Sequence, residues 1–268
     1  MTLTTLPLSD SGQKITFRAH GAGAPLVLIH GVGMQSAAWT PQIDHFADRY
    51  HVIALDLPGH GGSDPLAADS QLPDYIDWCK AAIEAVGLGA VNLIGHSMGA
   101  LIAGGVAAMY PALVLRVALL NGVFRRDEAA KAAVNARAAE IREGKMDLAT
   151  PLARWFDAEQ TCERARVASW LRAVDQGGYA TAYTAFAQGD ATYADRYGDI
   201  TCPFLAMTGD GDPNSTPAMA RAMTDSVPGG QAITLKGHRH MINLTAAEQV
   251  NTHLEAWLDR SPQAKEIR

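Results

Sequence analysis

Cysteine is scarce in this chain of 268 residues: Cys79, Cys162 and Cys202 stand far apart, with no paired spacing. That pattern excludes a zinc-ligand cluster and a disulfide-stapled scaffold, and reduced thiols in the cytoplasm are expected instead. Positive charge is also in deficit, with 22 Lys and Arg against 28 Asp and Glu and a net charge of -6. A nucleic-acid partner is therefore not expected, because such proteins carry a basic face. No apolar run approaches the ~20 residues of a membrane helix, so no membrane partner is expected. The opening MTLTTLPLSDSGQK lacks the basic segment and apolar core of a secretory leader, and none is expected there. There is no G-x-G-x-x-G at the first strand turn, no phosphate-binding Walker loop and no metal-ligand cluster, so the expectation is no cofactor and no metal.

What is present is the composition of a folded domain, 48% hydrophobic and 19% charged, in a chain long enough for a large core. Short apolar runs alternate with amphipathic stretches of helical length. Ile15 to Ala19 reads as an edge strand. Pro25–His30, His51–Asp56, Ala90–Gly95 and Arg116–Asn121 read as buried parallel strands, each ended by a turn-forming residue. Helical patterns fall over Ala38–Tyr50, Leu72–Val86 and Met98–Tyr110. Strand and helix in alternation predict an α/β fold, a mostly parallel sheet flanked by helices.

The rhythm stops after Phe124. Residues 125–197 hold no strand-like run, only helical patterns broken at Gly144, Pro151 and Gly177-Gly178. Cys202–Thr208 and Ala232–Leu235 then supply two more strands. The chain closes on a helix over Thr245–Leu258, with Thr245 and Glu248 as a capping box and Val250, Leu254, Trp257 and Leu258 as its apolar face. The tail from Arg260 is polar. The expected organisation is a core of residues 1–124 and 198–268 carrying a helical insertion, 125–197.

One segment carries chemistry by itself. Gly95-His96-Ser97-Met98-Gly99 follows the strand AVNLIG and precedes a helix, matching G-x-S-x-G, the nucleophile elbow. A serine in that sharp turn presents its hydroxyl above the sheet, where backbone N–H groups at the start of the helix favour negative charge. Around this motif the chain resembles the α/β-hydrolase family along nearly its whole length, and looks most similar to bacterial hydrolases of small metabolites, among them enol-lactonases and amide hydrolases. His30-Gly31-Val32-Gly33 corresponds to the family's oxyanion loop, which implies the N–H groups of Val32 and Met98 as oxyanion donors and a structural role for His30. The stretch Asp56-Leu-Pro-Gly-His60-Gly-Gly-Ser63-Asp64 resembles the family's D-x-P-G-x-G-x-S loop and is read as structural.

The resemblance further implies an acid after a late strand and a histidine near the end. Gly209-Asp210-Gly211-Asp212-Pro213 offers Asp212 in the matching position and Asp210 as the alternative. Gly237-His238-Arg239-His240 offers two histidines. Counting back from Asn251 favours His240 as base, with His238 the alternative, and Arg239 stands where glycine is commoner.

A serine is a weak nucleophile until a base takes its proton, and the base needs an orienting acid. The expected catalytic set is therefore Ser97, His240 and Asp212, under a cap made by the insertion. In the cap, Trp155, Phe156, Trp170, Tyr179, Tyr183 and Phe186 are candidates to line the pocket or to form the cap's own core. Arg125, Arg126 and Arg137 are placed to grip a substrate carboxylate. Pairing with Asp127, Glu128 or Glu140 on a solvated helix face is their structural alternative. The expected activity is hydrolysis of a small-molecule carboxylic ester or lactone through an acyl-enzyme. Amide or carbon–carbon hydrolysis on the same triad and a ligand-binding receptor with a vestigial triad are the alternatives.

Overall fold

A computed structural model describes residues 2–9 and 11–260; the polar tail expected beyond Arg260 lies outside the described residues. Eight strands form one sheet: β1 (Thr2–Pro7), β2 (Lys14–His20), β3 (Ala24–Ile29), β4 (Tyr50–Leu55), β5 (Val91–His96), β6 (Val114–Leu120), β7 (Phe204–Gly209) and β8 (Gln231–Leu235). Their order across the sheet is β1-β2-β4-β3-β5-β6-β7-β8. Only β1 and β2 run antiparallel to their neighbours; from β4 to β8 every pairing is parallel.

The central strands are apolar at successive positions because both their faces are covered. Leu26 and Leu28 of β3 point into a cluster with Trp39, Ile43, Phe46, Leu254 and Trp257. Val27 and Ile29 point the other way, towards Tyr75, Ile76, Ile102, Val106 and Met223. Helices α1 (Thr40–Phe46) and α10 (Ala247–Leu258) thus cover one face. Helices α2 (Leu72–Ala85), α3 (Met98–Met109) and α8 (Pro217–Asp225) cover the other. Asn251 serves this packing: its Oδ1 accepts from Gln42 Nε2 at 3.0 Å, joining α10 to α1.

Between β6 and β7 the chain is helical: α4 (Glu128–Arg142), α5 (Ala149–Trp155), α6 (Thr161–Ala173), α7 (Gln176–Gln188) and a 3-10 turn at Ala194–Asp199. Backbone meets backbone between this layer and the core where Gly178 of α7 lies against Gly59. A Cβ on Gly178 would come within 2.5 Å of the Gly59 Cα, so neither residue can carry a side chain without parting the two backbones.

Two expectations need correction. The edge of the sheet is β1, not the strand over Ile15–Ala19; the Thr-rich TLTTLP pairs along β2 and makes it internal. The capping box of Thr245 and Glu248 is absent. A short helix, α9 (Ile242–Thr245), already occupies that segment, the Thr245 hydroxyl donates to the Met241 carbonyl at 3.1 Å, and α10 starts from Ala246 without a side-chain cap.

Candidate active site

Val32, Ser97, Asp212 and His240 each sit past the C-terminal end of a strand, where parallel sheets open crevices. Ser97 joins β5 to α3 with φ 55° and ψ −113°, a conformation that a side-chain-bearing residue adopts only under strain. The flanking glycines make the turn possible. A Cβ on Gly95 would lie 2.0 Å from the Gly99 carbonyl oxygen, and one on Gly99 would lie 2.1 Å from the Ile29 oxygen.

Asp212 follows β7 and His240 follows β8. His240 Nδ1 and Asp212 Oδ2 are 2.7 Å apart, both buried. The other carboxylate oxygen, Oδ1, accepts the backbone N–H groups of Asn214 (2.8 Å) and Ser215 (3.1 Å). Burial alone would raise the Asp212 pKa. The charge of His240 and the hydrogen bonds from His240, Asn214 and Asn121 outweigh it, so the carboxyl lies below its ordinary value and stays ionised. The two alternatives lie elsewhere. Asp210 Oδ1 accepts from the Gly237 N–H at 2.8 Å on the surface, and His238 Nε2 meets the Gln249 side chain at 3.2 Å, also exposed.

The loop that follows β3 is held by two buried histidines. Leu57 N–H donates to His30 Nε2 at 3.0 Å, and Gly33 N–H donates to His60 Nε2 at 2.9 Å. Each ring gives its Nδ1 proton to a carbonyl, of Gly31 and of Pro58. A ring that accepts at Nε2 must be neutral, and burial pushes their pKa values down to about 4 and about 3. His30 and His60 thus tie the loop after β3 to the loop after β4. Among the described residues no acceptor engages the N–H of Val32 or Met98. His96, beside the serine, points its Nε2 at the His240 carbonyl 2.9 Å away.

These groups open on one cavity of about 610 Å³, whose floor holds Ser97, His240, Val32 and His96. No hydrogen bond joins the Ser97 hydroxyl to the imidazole among the described residues; both face the same space, and such contacts tighten when substrate is bound. The opposite wall comes from the segment before α4 and from α4, α5 and α7, and includes Arg126, Arg137, Arg154, Trp155 and Tyr183. Burial raises the Tyr183 phenol, while the charges of Arg137, Arg126 and Arg154 draw it part of the way back.

Arg126 is buried, 3.3 Å from Asp190 and with its guanidinium carbon 4.5 Å above the Phe186 ring centre. Its partners engage the backbone N–H and Nη1, so the guanidinium is fixed in place while it borders the cavity. Arg125 is not part of the site. With φ 45° its side chain turns outward to pair with Asp195 at the surface. Of the aromatic candidates Trp155, Tyr179, Tyr183 and Phe186 line the cavity, whereas Phe156 and Trp170 pack into the interior.

The model of the alpha/beta hydrolase family matches residues 26–252. The chain belongs to that family. It is 52% identical over 260 residues, 96% of this chain and 98% of the relative, to the (E)-2-((N-methylformamido)methylene)succinate hydrolase of Acinetobacter baylyi. It is 28% identical, over 89% of this chain and 90% of the relative, to the 2-(acetamidomethylene)succinate hydrolase of Mesorhizobium japonicum. In fold it matches the enol-lactonase of Burkholderia xenovorans LB400, with a TM-score of 0.87 at 22% identity over 96% of this chain and all of that one. This α/β hydrolase is therefore an enzyme, a hydrolase.

Two features of the hydrolase's site escaped the sequence. Asn121, just past β6 with φ 48°, donates from Nδ2 to Asp212 Oδ2 at 2.8 Å; the Asn-Gly pair that ends an apolar strand was its only signal. Arg154 had none, since a lone arginine on a short helix looks like any solvated charge.

Proposed function

We propose that this hydrolase cleaves the amide bond of a small unsaturated dicarboxylate. Ser97 is the nucleophile, His240 the general base, Asp212 the acid that orients it, and the N–H groups of Val32 and Met98 hold the oxyanion. Residues 125–197 act as the cap over a core of 1–124 and 198–268. One observation carries this reading: Ser97 and the Asp212–His240 pair share a cavity with the guanidinium groups of Arg126, Arg137 and Arg154.

The compounds in the two relatives' names are enamides, a formyl or acetyl amide whose nitrogen is attached to the C=C bond of a methylenesuccinate with two free carboxylates. A wall of arginines suits such a dianion, because guanidinium groups bind carboxylates through paired hydrogen bonds. An ester or lactone, first in the sequence reading, would use the same nucleophile. The amide is preferred because both relatives that match nearly full length are named for amides. A cytoplasmic home is part of the proposal, supported by three free thiols.

In the proposed mechanism Ser97 Oγ attacks the amide carbonyl carbon while His240 Nε2 takes its proton. The oxyanion forms against the N–H groups of Val32 and Met98. As the C–N bond breaks, His240 returns the proton to the leaving nitrogen, whose lone pair is delocalised through the C=C bond towards a carboxylate. Water, deprotonated by His240, then attacks the acyl-enzyme and releases a small carboxylic acid and Ser97. Asp212 accepts the hydrogen bond from His240 Nδ1–H throughout and stays ionised.

The test is to follow the loss of enamide absorbance with (E)-2-((N-methylformamido)methylene)succinate and with its dimethyl ester. The diacid is expected to be turned over with kcat/KM at least about a hundredfold above the diester, as paired charged hydrogen bonds imply. Equal values, or no turnover of the diacid, would overturn the proposal.

A further inference from the structure

Arg239 is the residue that departs from the family's pattern beside the base, and its side chain has a definite partner. Nε donates to Asp157 Oδ1 at 2.6 Å. Asp157 lies two residues beyond Trp155, and Trp155 stacks on the His240 ring, with centroids 5.7 Å apart and planes 28° apart. The intervening Phe156 is extended, with φ −130° and ψ 150°, so its side chain turns into the interior while Trp155 and Asp157 share the opposite face. Two consecutive residues of the base loop thus meet two alternate residues of the segment that follows α5.

The same loop is anchored on its core side. The Arg239 carbonyl accepts from Asn121 Nδ2 at 3.2 Å, and the His240 carbonyl accepts from His96. Without the Arg239 side chain only the core side would be tied, and α5, a seven-residue helix between loops, would lose an anchor beside the indole. The ion pair is about one-third exposed on each side, so its direct contribution to stability is small. Its effect is geometric. Neither Arg239 nor Asp157 lines the cavity.

We infer that Arg239 is a positioning residue: paired with Asp157, it holds Trp155 flat against the His240 imidazole, which fixes the ring towards Ser97 and screens that face from water. An indole face also favours the imidazolium that forms as Ser97 gives up its proton. This inference rests on the reading of His240 as the base.

Arg239→Ala, Asp157→Ala and the double variant test it by two readouts. In steady-state kinetics with the proposed enamide diacid, each single variant is expected to lower kcat between about ten- and a hundredfold with KM changed far less, as for a misplaced catalytic group. The double variant should lose no more than either single one, since all three break the same contact. Trp155→Ala should lower kcat at least as far as Arg239→Ala.

The second readout needs no turnover. Acrylamide quenching attributable to Trp155, taken against Trp155→Phe, should rise equally in all three pair variants and stay at the wild-type level in Ser97→Ala. Quenching unchanged in Arg239→Ala, or additive losses of kcat in the double variant, would overturn the inference. Retained turnover in Ser97→Ala with the quenching pattern intact would overturn the nucleophile assignment and leave the latch standing.

Discussion

Asn121 and His240 converge on a single oxygen: Asp212 Oδ2 takes the Asn121 amide at 2.8 Å and the His240 imidazole at 2.7 Å. Asn121 therefore fixes where the carboxylate points before the histidine binds it. Asn121→Ala removes a hydrogen bond to a buried charge and should cost about 1.5–3 kcal/mol of stability. It should also lower kcat with little change in KM. Urea denaturation and steady-state kinetics check both, and a variant with wild-type kcat would contradict the role.

Gly177 and Gly178 are neighbours in α7 with opposite tolerance. A Cβ on Gly177 meets nothing closer than 3.4 Å, whereas one on Gly178 strikes the Gly59 backbone. Gly177→Ala should be neutral or stabilise by up to about 1 kcal/mol through helix propensity. Gly178→Ala should destabilise by about 1–3 kcal/mol through overpacking, and raise KM as the helical layer lifts from the core. Thermal unfolding of the two variants side by side is the check.

His30, His60 and His96 make the fold sensitive to acid. Burial lowers their pKa values from 6.5 to about 4, 3 and 3. Between those values and 6.5 the unfolded chain takes up protons that the folded chain refuses. Their favourable contribution is therefore complete above about pH 6.5 and is lost as pH falls towards 4, at about 1.4 kcal/mol per pH unit for each histidine. Asp212, with its pKa lowered, adds a further loss only at pH values below its unfolded value. Urea unfolding should show a fall of several kcal/mol from about pH 7 to about pH 5; a flat profile would contradict the neutral, buried assignment.

Arg154 is exposed, borders the cavity and has no ion-pair partner among the described residues. Arg154→Gln should raise KM for the enamide diacid and leave a neutral ester untouched, with stability changed by less than about 0.5 kcal/mol. Arg126 is the poorer test, because its removal would strand the buried Asp190.

How far the site could be read in advance follows from which residues are constrained locally. The elbow was legible because Gly95 and Gly99 are demanded by backbone contacts within a few residues of Ser97. The buried strands were legible because both faces need apolar cover. Spacing from Asn251 favoured His240 but left His238 as the alternative, since a loop places its side chains through partners distant in sequence; in the structure it is His240 that lies 2.7 Å from Asp212. Arg125 and Arg126 looked equivalent, yet a positive φ at Arg125 sends one outward and leaves the other buried against Asp190. The false capping box arose likewise: the Thr245 hydroxyl found a carbonyl four residues back, in a helix too short to leave a periodic trace.

The central claim is that Ser97, activated by His240, opens the amide of a dicarboxylate. Its most direct test is formate release from (E)-2-((N-methylformamido)methylene)succinate by the wild type and by Ser97→Ala, His240→Ala and His238→Ala. The account predicts losses of at least about 10⁴-fold in kcat for the first two variants, and near wild-type turnover for His238→Ala. Turnover that survives Ser97→Ala, or that vanishes in His238→Ala and persists in His240→Ala, would contradict it.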